Sequence, residues 1–307
     1  MRKIKKMAAF LLTAAIGISS FQAIPTEAAD YIWLNSKSAT YSMDENGKWQ
    51  LSSDEVFKYD KNGNQTTGTS NDYTDGKKST SVSKFKYKKG KLASVTVTKD
   101  KKIVNKTVYT RNKKGLTTKI QLYNENNKIE STTTKKYNKK GKVTKEVTTR
   151  QDKSKTVTTY KYVYKKGKLS KSIQKDSDGT VFTTLFWANG NMKSCSYVTE
   201  GFKSYTEYDK KGFEKRNVFD GSFSREESTY KYKKGKLKET KIVTTFKDTK
   251  ETETCLETYK EKYDKQGNII EKIVYQNGKA KYKYVYSGYK KYKDNGSSYG
   301  SEALNEL

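Results

Sequence analysis

The chain has 307 residues, of which 32% are hydrophobic and 32% charged, with a formal net charge of +30 and no histidine. The missing His excludes Ser-His-Asp and Cys-His nucleophilic machinery, His zinc sites and imidazole pH switching. Two cysteines, Cys195 and Cys255, are too few for a Cys-based zinc centre. So low an apolar content leans toward disorder, but 25 tyrosines in alternating Tyr/Thr/Val patterns and a single proline, Pro25, favour pleated strands.

In chain order, Arg2, Lys3, Lys5 and Lys6 form a basic head before an apolar run over 7–18 that is too short to span a bilayer comfortably. Thr26-Glu27-Ala28 then offers small side chains where a signal peptidase reads, so residues 1–28 are expected to be a Sec-type signal peptide. Its removal would leave a charge of +27. The sequence contains no second long apolar segment, no Cys near the cleavage site and no LPxTG-like sorting sequence. The expectation is therefore a secreted chain, free or held non-covalently at the wall of a Gram-positive cell. Residues 29–56, with Trp33 and Trp49 flanking a turn at 43–47, read as the N-terminal cap of an array.

Residues 57–286 repeat a short phrase: an aromatic residue, a Lys-rich turn ending in Gly, then an aliphatic residue shortly after. The turn glycines are Gly63, Gly90, Gly115, Gly141, Gly167, Gly190, Gly212, Gly235 and Gly267, spaced by 22 to 32 residues. Weaker turn signals fall between them at Asp75-Gly76, Asp100-Lys101, 124–127, Asp152-Lys153, Asp178-Gly179, Glu200-Gly201, Asp220-Gly221, Asp248-Thr249 and Asn277-Gly278, so each period holds two turns and two strands. Arg111 and Trp187 stand where other copies have Tyr, which suggests a position that wants a large flat side chain more than a hydroxyl. Strands such as Tyr160-Lys161-Tyr162-Val163-Tyr164 place Tyr on one face and Lys on the other. The fold class expected is all-β: a long antiparallel β-hairpin repeat array, a meander of about 18 strands, twisted or coiled because wide open sheets curl or split. The segment 287–307 is Gly/Ser-rich and is expected to be a flexible C-terminal tail.

At Tyr59-Asp60-Lys61-Asn62-Gly63-Asn64 and Tyr263-Asp264-Lys265-Gln266-Gly267-Asn268-Ile269, and in part at Tyr208-Asp209-Lys210-Lys211-Gly212, the chain resembles the YD repeats of Rhs-type and bacterial wall-associated proteins. The resemblance covers roughly residues 56–290 and implies a continuous spiralling β-sheet, in some members a shell around a toxin. This chain is shorter, unusually Lys-rich and without an evident toxin domain, so the resemblance carries an architecture and no activity.

Candidate sites are few. Asp176-Ser177-Asp178-Gly179 has some of a calcium loop but lacks its later ligands, and reads as a hairpin turn. Glu226 and Glu227 are adjacent on a strand, point to opposite faces and cannot act as an acid/base pair. The Tyr ladder is a stacking platform for sugar or base, or simply sheet packing. A Cys195–Cys255 disulfide would need tight coiling, because a flat meander separates the two by about six strands, roughly 29 Å. No catalytic, cofactor or metal residues are assigned, and the chain is expected not to be an enzyme. Its charge would draw it to polyanions, of which teichoic acid is the nearest outside a Gram-positive cell. Nucleic acid is a non-specific alternative, weakened because only five of 64 basic residues are Arg. Other readings are a toxin or effector scaffold, and a carboxylate-dependent hydrolase of wall polysaccharide for which no carboxylate pair can be named.

Overall fold

Alternation of half-buried and exposed residues along the chain produces 22 strands and no helix among the described residues. The computed structural model describes residues 31–74 and 76–293. The signal peptide expected at 1–28 lies outside them, as do residues 294–307 of the tail expected at 287–307, whereas Lys290–Lys293 of that tail form a strand. The strands are β1 (Tyr31–Leu34), β2 (Lys37–Met43), β3 (Trp49–Tyr59), β4 (Gln65–Thr74), β5 (Lys77–Lys88), β6 (Lys91–Lys99), β7 (Lys102–Arg111), β8 (Thr117–Asn124), β9 (Ile129–Tyr137), β10 (Val143–Arg150) and β11 (Lys155–Lys165). They continue as β12 (Lys168–Asp176), β13 (Val181–Phe186), β14 (Met192–Thr199), β15 (Phe202–Tyr208), β16 (Glu214–Asp220), β17 (Ser224–Lys233), β18 (Lys236–Phe246), β19 (Thr252–Tyr263), β20 (Ile269–Gln276), β21 (Lys279–Ser287) and β22 (Lys290–Lys293).

The all-β antiparallel reading holds; the twisted or coiled meander of about 18 strands does not. Strands β2 to β21 pair each with the next, and β2 also pairs with β21 from Lys37↔Ser287 to Ser42↔Tyr282, closing a 20-strand barrel. Closure satisfies the two edges that an open sheet would leave as templates for aggregation. The strands outside the barrel, β1 and β22, pair only with each other, from Tyr31↔Lys293 to Leu34↔Lys290. Residues assigned to an N-terminal cap thus contribute β1, β2, whose pairing with β21 closes the ring, and most of β3.

All nine Gly turns lie on one rim, and the weaker turns lie on the other. Two chemistries build the motif rim. Lys89-Gly90, Lys166-Gly167 and Lys234-Gly235 are two-residue hairpins with positive φ at both positions, the type I′ geometry that matches strand twist. The longer loops are closed by the residue after the aromatic: Asp60 Oδ1 accepts the N–H groups of Asn62 (2.8 Å) and Asn64 (3.0 Å), and Asp264 does the same for Gln266 and Asn268. Asn112 and Asn138 fill that place in two other copies. Side-chain acceptance of nearby N–H groups is the ordinary Asx-turn mechanism.

A register shift occurs at the aromatic of most copies, between Lys58 and Tyr59, Lys86 and Tyr87, Thr110 and Arg111, Lys231 and Tyr232, and Lys262 and Tyr263. Such bulges bend strands and sharpen twist, and they recur at barrel rims. The extra residue of each bulge lies on the strand after the turn, as Thr66 does opposite Tyr59, and in several copies the aromatic-position side chain reaches back to the carbonyl two residues past the preceding turn glycine. Tyr87 Oη donates to Gln65 O at 2.9 Å, Tyr289 Oη to Ile269 O at 2.6 Å, and Tyr137 Oη to Thr117 O. In the copy without Tyr, Arg111 Nη2 donates to Leu92 O at 3.2 Å. Arg111 thus keeps a donor in the Tyr place, whereas the copy at Phe186 keeps only the flat ring, so the hydroxyl is not required at every copy, in line with the expectation. Trp187 does not occupy the Tyr place. Gly190 N–H donates to Trp187 O and Trp187 N–H to Asn191 O, so Trp187 sits at the Asp position, and Phe186 takes the aromatic place opposite the bulge at Lys193. Tyr87→Phe and Tyr289→Phe are each expected to lower unfolding free energy by about 1 kcal/mol, the net worth of one such hydrogen bond, measured by urea denaturation.

The packed core is small. Among the described residues the buried hydrophobics are Leu34, Leu92, Tyr109, Val218 and Val274, and no side chain is fully buried. Twenty strands enclose a bore wider than side chains can fill. Cohesion comes from backbone ladders and cross-strand pairs, each pair worth ~0.2–1 kcal/mol.

Candidate binding surfaces

The two faces of the wall differ in chemistry. In a closed barrel, side chains converge on the concave face and splay on the convex one, so the more shielded row faces the lumen. That row carries Tyr: along β11, Thr158, Tyr160 and Tyr162 are half-buried, whereas Thr159 and Lys161 are exposed. In β9 the Lys135 side chain is 12% exposed and paired with Glu146 at 3.3 Å, while Lys136 stands in solvent.

Following the register around the ring places a hydroxyl- and acid-rich lining opposite a lysine-rich exterior. Across β14 to β19 one inward row runs Cys195↔Thr206↔Asn217↔Ser228↔Ile242↔Cys255. The cysteines stand five ladder steps apart, about 24 Å, and both are free. Burial raises the Cys255 thiol pKa, with Glu257 and Glu226 adding to it.

Beside this row, Asn217 Nδ2 donates to Thr206 Oγ1 at 3.1 Å, and Glu214 stays above the usual carboxylate range because burial outweighs its hydrogen bonds from Tyr230 and Asn217. Tyr230 is pushed up by burial and then by Glu214, and Tyr208 by burial and then by Cys195 and Glu214. Tyr259 Oη donates to Glu257 Oε2 at 2.8 Å and lies 2.7 Å from Thr240 Oγ1, while Gln276 Nε2 donates to the other Glu257 oxygen at 2.9 Å. Lys272 Nζ sits 4.7 Å from the Tyr259 ring centre; burial lowers its pKa against the pull of Glu261 and Glu257. Sequence reading saw the Tyr face but missed these carboxylates, because Glu257, Glu261 and Lys272 meet only through the register of β19 with β20.

Asp176 to Thr180 form a hairpin loop in which Asp178 Oδ1 accepts the Thr180 N–H at 2.8 Å. Among the described residues no group of three or more metal-ligating side chains converges. Glu226 and Glu227 do point to opposite faces: Glu227 holds Arg216 through two hydrogen bonds of 2.8 and 2.9 Å on the exterior, and Glu226 pairs across with Phe219 on the lumen side.

The exterior presents Lys84, Lys106, Lys119, Lys136, Lys145 and Lys161 from mid-strand positions. The clefts in the wall are shallow. One of about 290 Å³ lies at the motif rim against Lys168, Leu169, Phe186 and Asn189, and one of about 270 Å³ lies on the exterior between Arg225, Glu227 and Lys241. No helix among the described residues is long and apolar enough to cross a membrane.

No family model matches the chain, and neither does any curated protein. Among solved structures it is similar to the crystal structure of TcdB2-TccC3, at 12% identity and a TM-score of 0.33, over 78% of this chain and 16% of that one. It is also similar to porin-like proteins from Bacteroides uniformis ATCC 8492 and Bacteroides vulgatus ATCC 8482, each at 12% identity and a TM-score of 0.32, over 82% of this chain and 97% of theirs. The chain thus spans only a small part of the length of TcdB2-TccC3.

Proposed function

We propose that this is a secreted, non-enzymatic β-repeat protein that associates with the bacterial cell envelope by attraction to anionic wall polymers such as teichoic acid. The observation that carries the reading is the outward row of lysines on the barrel of a chain whose net charge is +30. Lysine is a hydrated point charge suited to diffuse attraction, where arginine would favour bidentate recognition of single phosphates. We further propose that the repeats are of the YD type. The support is local: Asp60, Asp209 and Asp264 each accept two loop N–H groups, which gives the Asp of that motif a structural task.

A barrel immersed in lipid would need an apolar exterior. Lys or Arg at mid-bilayer costs about 2–4 kcal/mol each, and the mid-strand lysines Lys84, Lys106 and Lys161 face outward here. The test of the envelope reading is pull-down of the chain lacking residues 1–28 on Gram-positive walls, with and without teichoic acid, over a salt series. Retention that requires teichoic acid and fades between 50 and 200 mM salt, about the range over which polyelectrolyte contacts weaken, is expected. Absence of retention at low salt would refute it.

A further inference from the structure

The positive charge is not spread evenly around the ring. Residues 77–176, which form β5 to β12, hold 31 basic and six acidic residues, a net of +25 out of +30. The ion pairs divide the same way. Among the described residues, Lys215–Glu207, Arg216–Glu227, Arg225–Glu227, Lys231–Glu239, Lys247–Asp220 and Lys262–Glu271 all lie on β15 to β20 and their loops. The ion pair of the basic sector, Lys135–Glu146, points into the lumen. Among the described residues, the exterior of β5 to β12 carries no ion pair, and lysines far outnumber the exposed acids such as Glu130.

The sector also places like charges together where alternation would have stabilised the sheet. Lys136 and Lys145 are direct register partners on the exterior, and Lys88↔Lys91, Lys99↔Lys102 and Lys165↔Lys168 are partners beside turns, an arrangement that recurs once outside the sector at Lys233↔Lys236. Like charges directly opposite destabilise a sheet, and a surface made only for solubility would intersperse the two signs. At the motif rim, four successive loops of this sector carry Lys89, Lys113, Lys114, Lys139, Lys140 and Lys166. Successive tips are two strands apart, roughly 10 Å, within reach of flexible lysine side chains.

We infer that the exterior of β5 to β12, with its motif-rim loops, is the docking face for one linear polyphosphodiester of the wall, lying along the sector rather than around the whole barrel. This rests on the polyanion reading above and names where that polymer sits. Lysine chemistry favours the wall polymer over nucleic acid. The sector has only two arginines, and both are engaged within the sheet: Arg111 with Leu92 O and Thr117, Arg150 with Thr156.

The test uses purified teichoic acid as the titrant against the chain from residue 29 onward and two variants of equal charge change. One converts Lys84, Lys106, Lys119, Lys136, Lys145 and Lys161 to Gln. The other converts Lys203, Lys231, Lys241, Lys260, Lys262 and Lys281 to Gln. The first is expected to weaken Kd at least about tenfold at 50 mM salt and to flatten the salt dependence, the second less than about threefold. If both variants lose affinity equally, the sector assignment fails while the polyanion reading stands. If the unmodified chain does not bind, the polyanion reading itself fails. A dT30 oligonucleotide binding more tightly than teichoic acid would overturn the choice of occupant. Circular dichroism checks folding, and should the first variant misfold, Gln at the six rim-loop lysines is expected to give the same loss.

Discussion

A chain ending at Gly278, without β21 and β22, is expected to lose cooperative unfolding and to self-associate. Its removal strips β2 of one partner and β20 of the other, exposing two sheet edges that the closed barrel lacks. The loss cannot be absorbed elsewhere, since the buried hydrophobic set among the described residues is five side chains. A hydrophobic core of that size does not hold an open sheet together, whereas six register pairs at the seam and the β1–β22 ribbon do so by completing the ladder. Tyr59 ties the seam to the wall: its hydroxyl donates to Asn35 O at 3.0 Å and its ring lies 5.7 Å from that of Tyr292.

A gentler lesion should report on the same seam. Gly288 has φ +67, and a Cβ there would sit 2.1 Å from Ser36 Oγ, so Gly288→Val is expected to cost about 1–3 kcal/mol through backbone strain, with rotation of Ser36 relieving part of the contact. Size-exclusion chromatography and thermal melts decide the matter. A truncated chain that stays monomeric with an unchanged melting curve would mean the barrel does not depend on closure.

Much of the fold was legible because turn chemistry is local. Every Gly turn and every weaker turn signal from Gly63 to Gly278 falls between two strands, and the Tyr and Lys alternation sorts the two faces. What was not legible depends on long-range pairing. Nothing in residues 37–43 announces that they join β21, more than 200 positions away in the sequence, so the closed ring could not be told from a coil. The place of Trp187 has the same root in miniature, because only the bulge opposite Phe186 and the Trp187 loop bonds show which residue holds which place. The lumen carboxylates escaped notice for a related reason: Glu214 meets Tyr230 only through the pairing of β16 with β17. The concentration of charge in one sector, by contrast, is written plainly in the composition of residues 77–176 and gains meaning only once that stretch becomes one side of a ring.

Raising the pH is expected to dismantle the barrel in a single steep transition above pH 10. Burial lifts Tyr59, Tyr284 and Tyr286 to about 12, and lifts Tyr160, Tyr208, Tyr230 and Tyr259 further. In the unfolded chain tyrosine ionises near pH 10. The folded form therefore holds these protons longer, its advantage is complete below pH 10, and it drains away as pH rises through about 12. Discounted for water in the open lumen, each of the first three contributes about 1–2 kcal/mol. Several such terms together approach the ~5–15 kcal/mol that keeps a typical domain folded. The neutral hydroxyls also serve as donors, as Tyr59 does to Asn35 O and Tyr259 to Glu257, and ionisation would abolish those bonds and set phenolate against carboxylate. Absorbance at 295 nm and circular dichroism should therefore change together, and more steeply than independent phenols allow. Tyrosines that titrate one by one around pH 10 while the sheet signal persists would place them in water, and the assignment of the Tyr row to the lumen would be wrong.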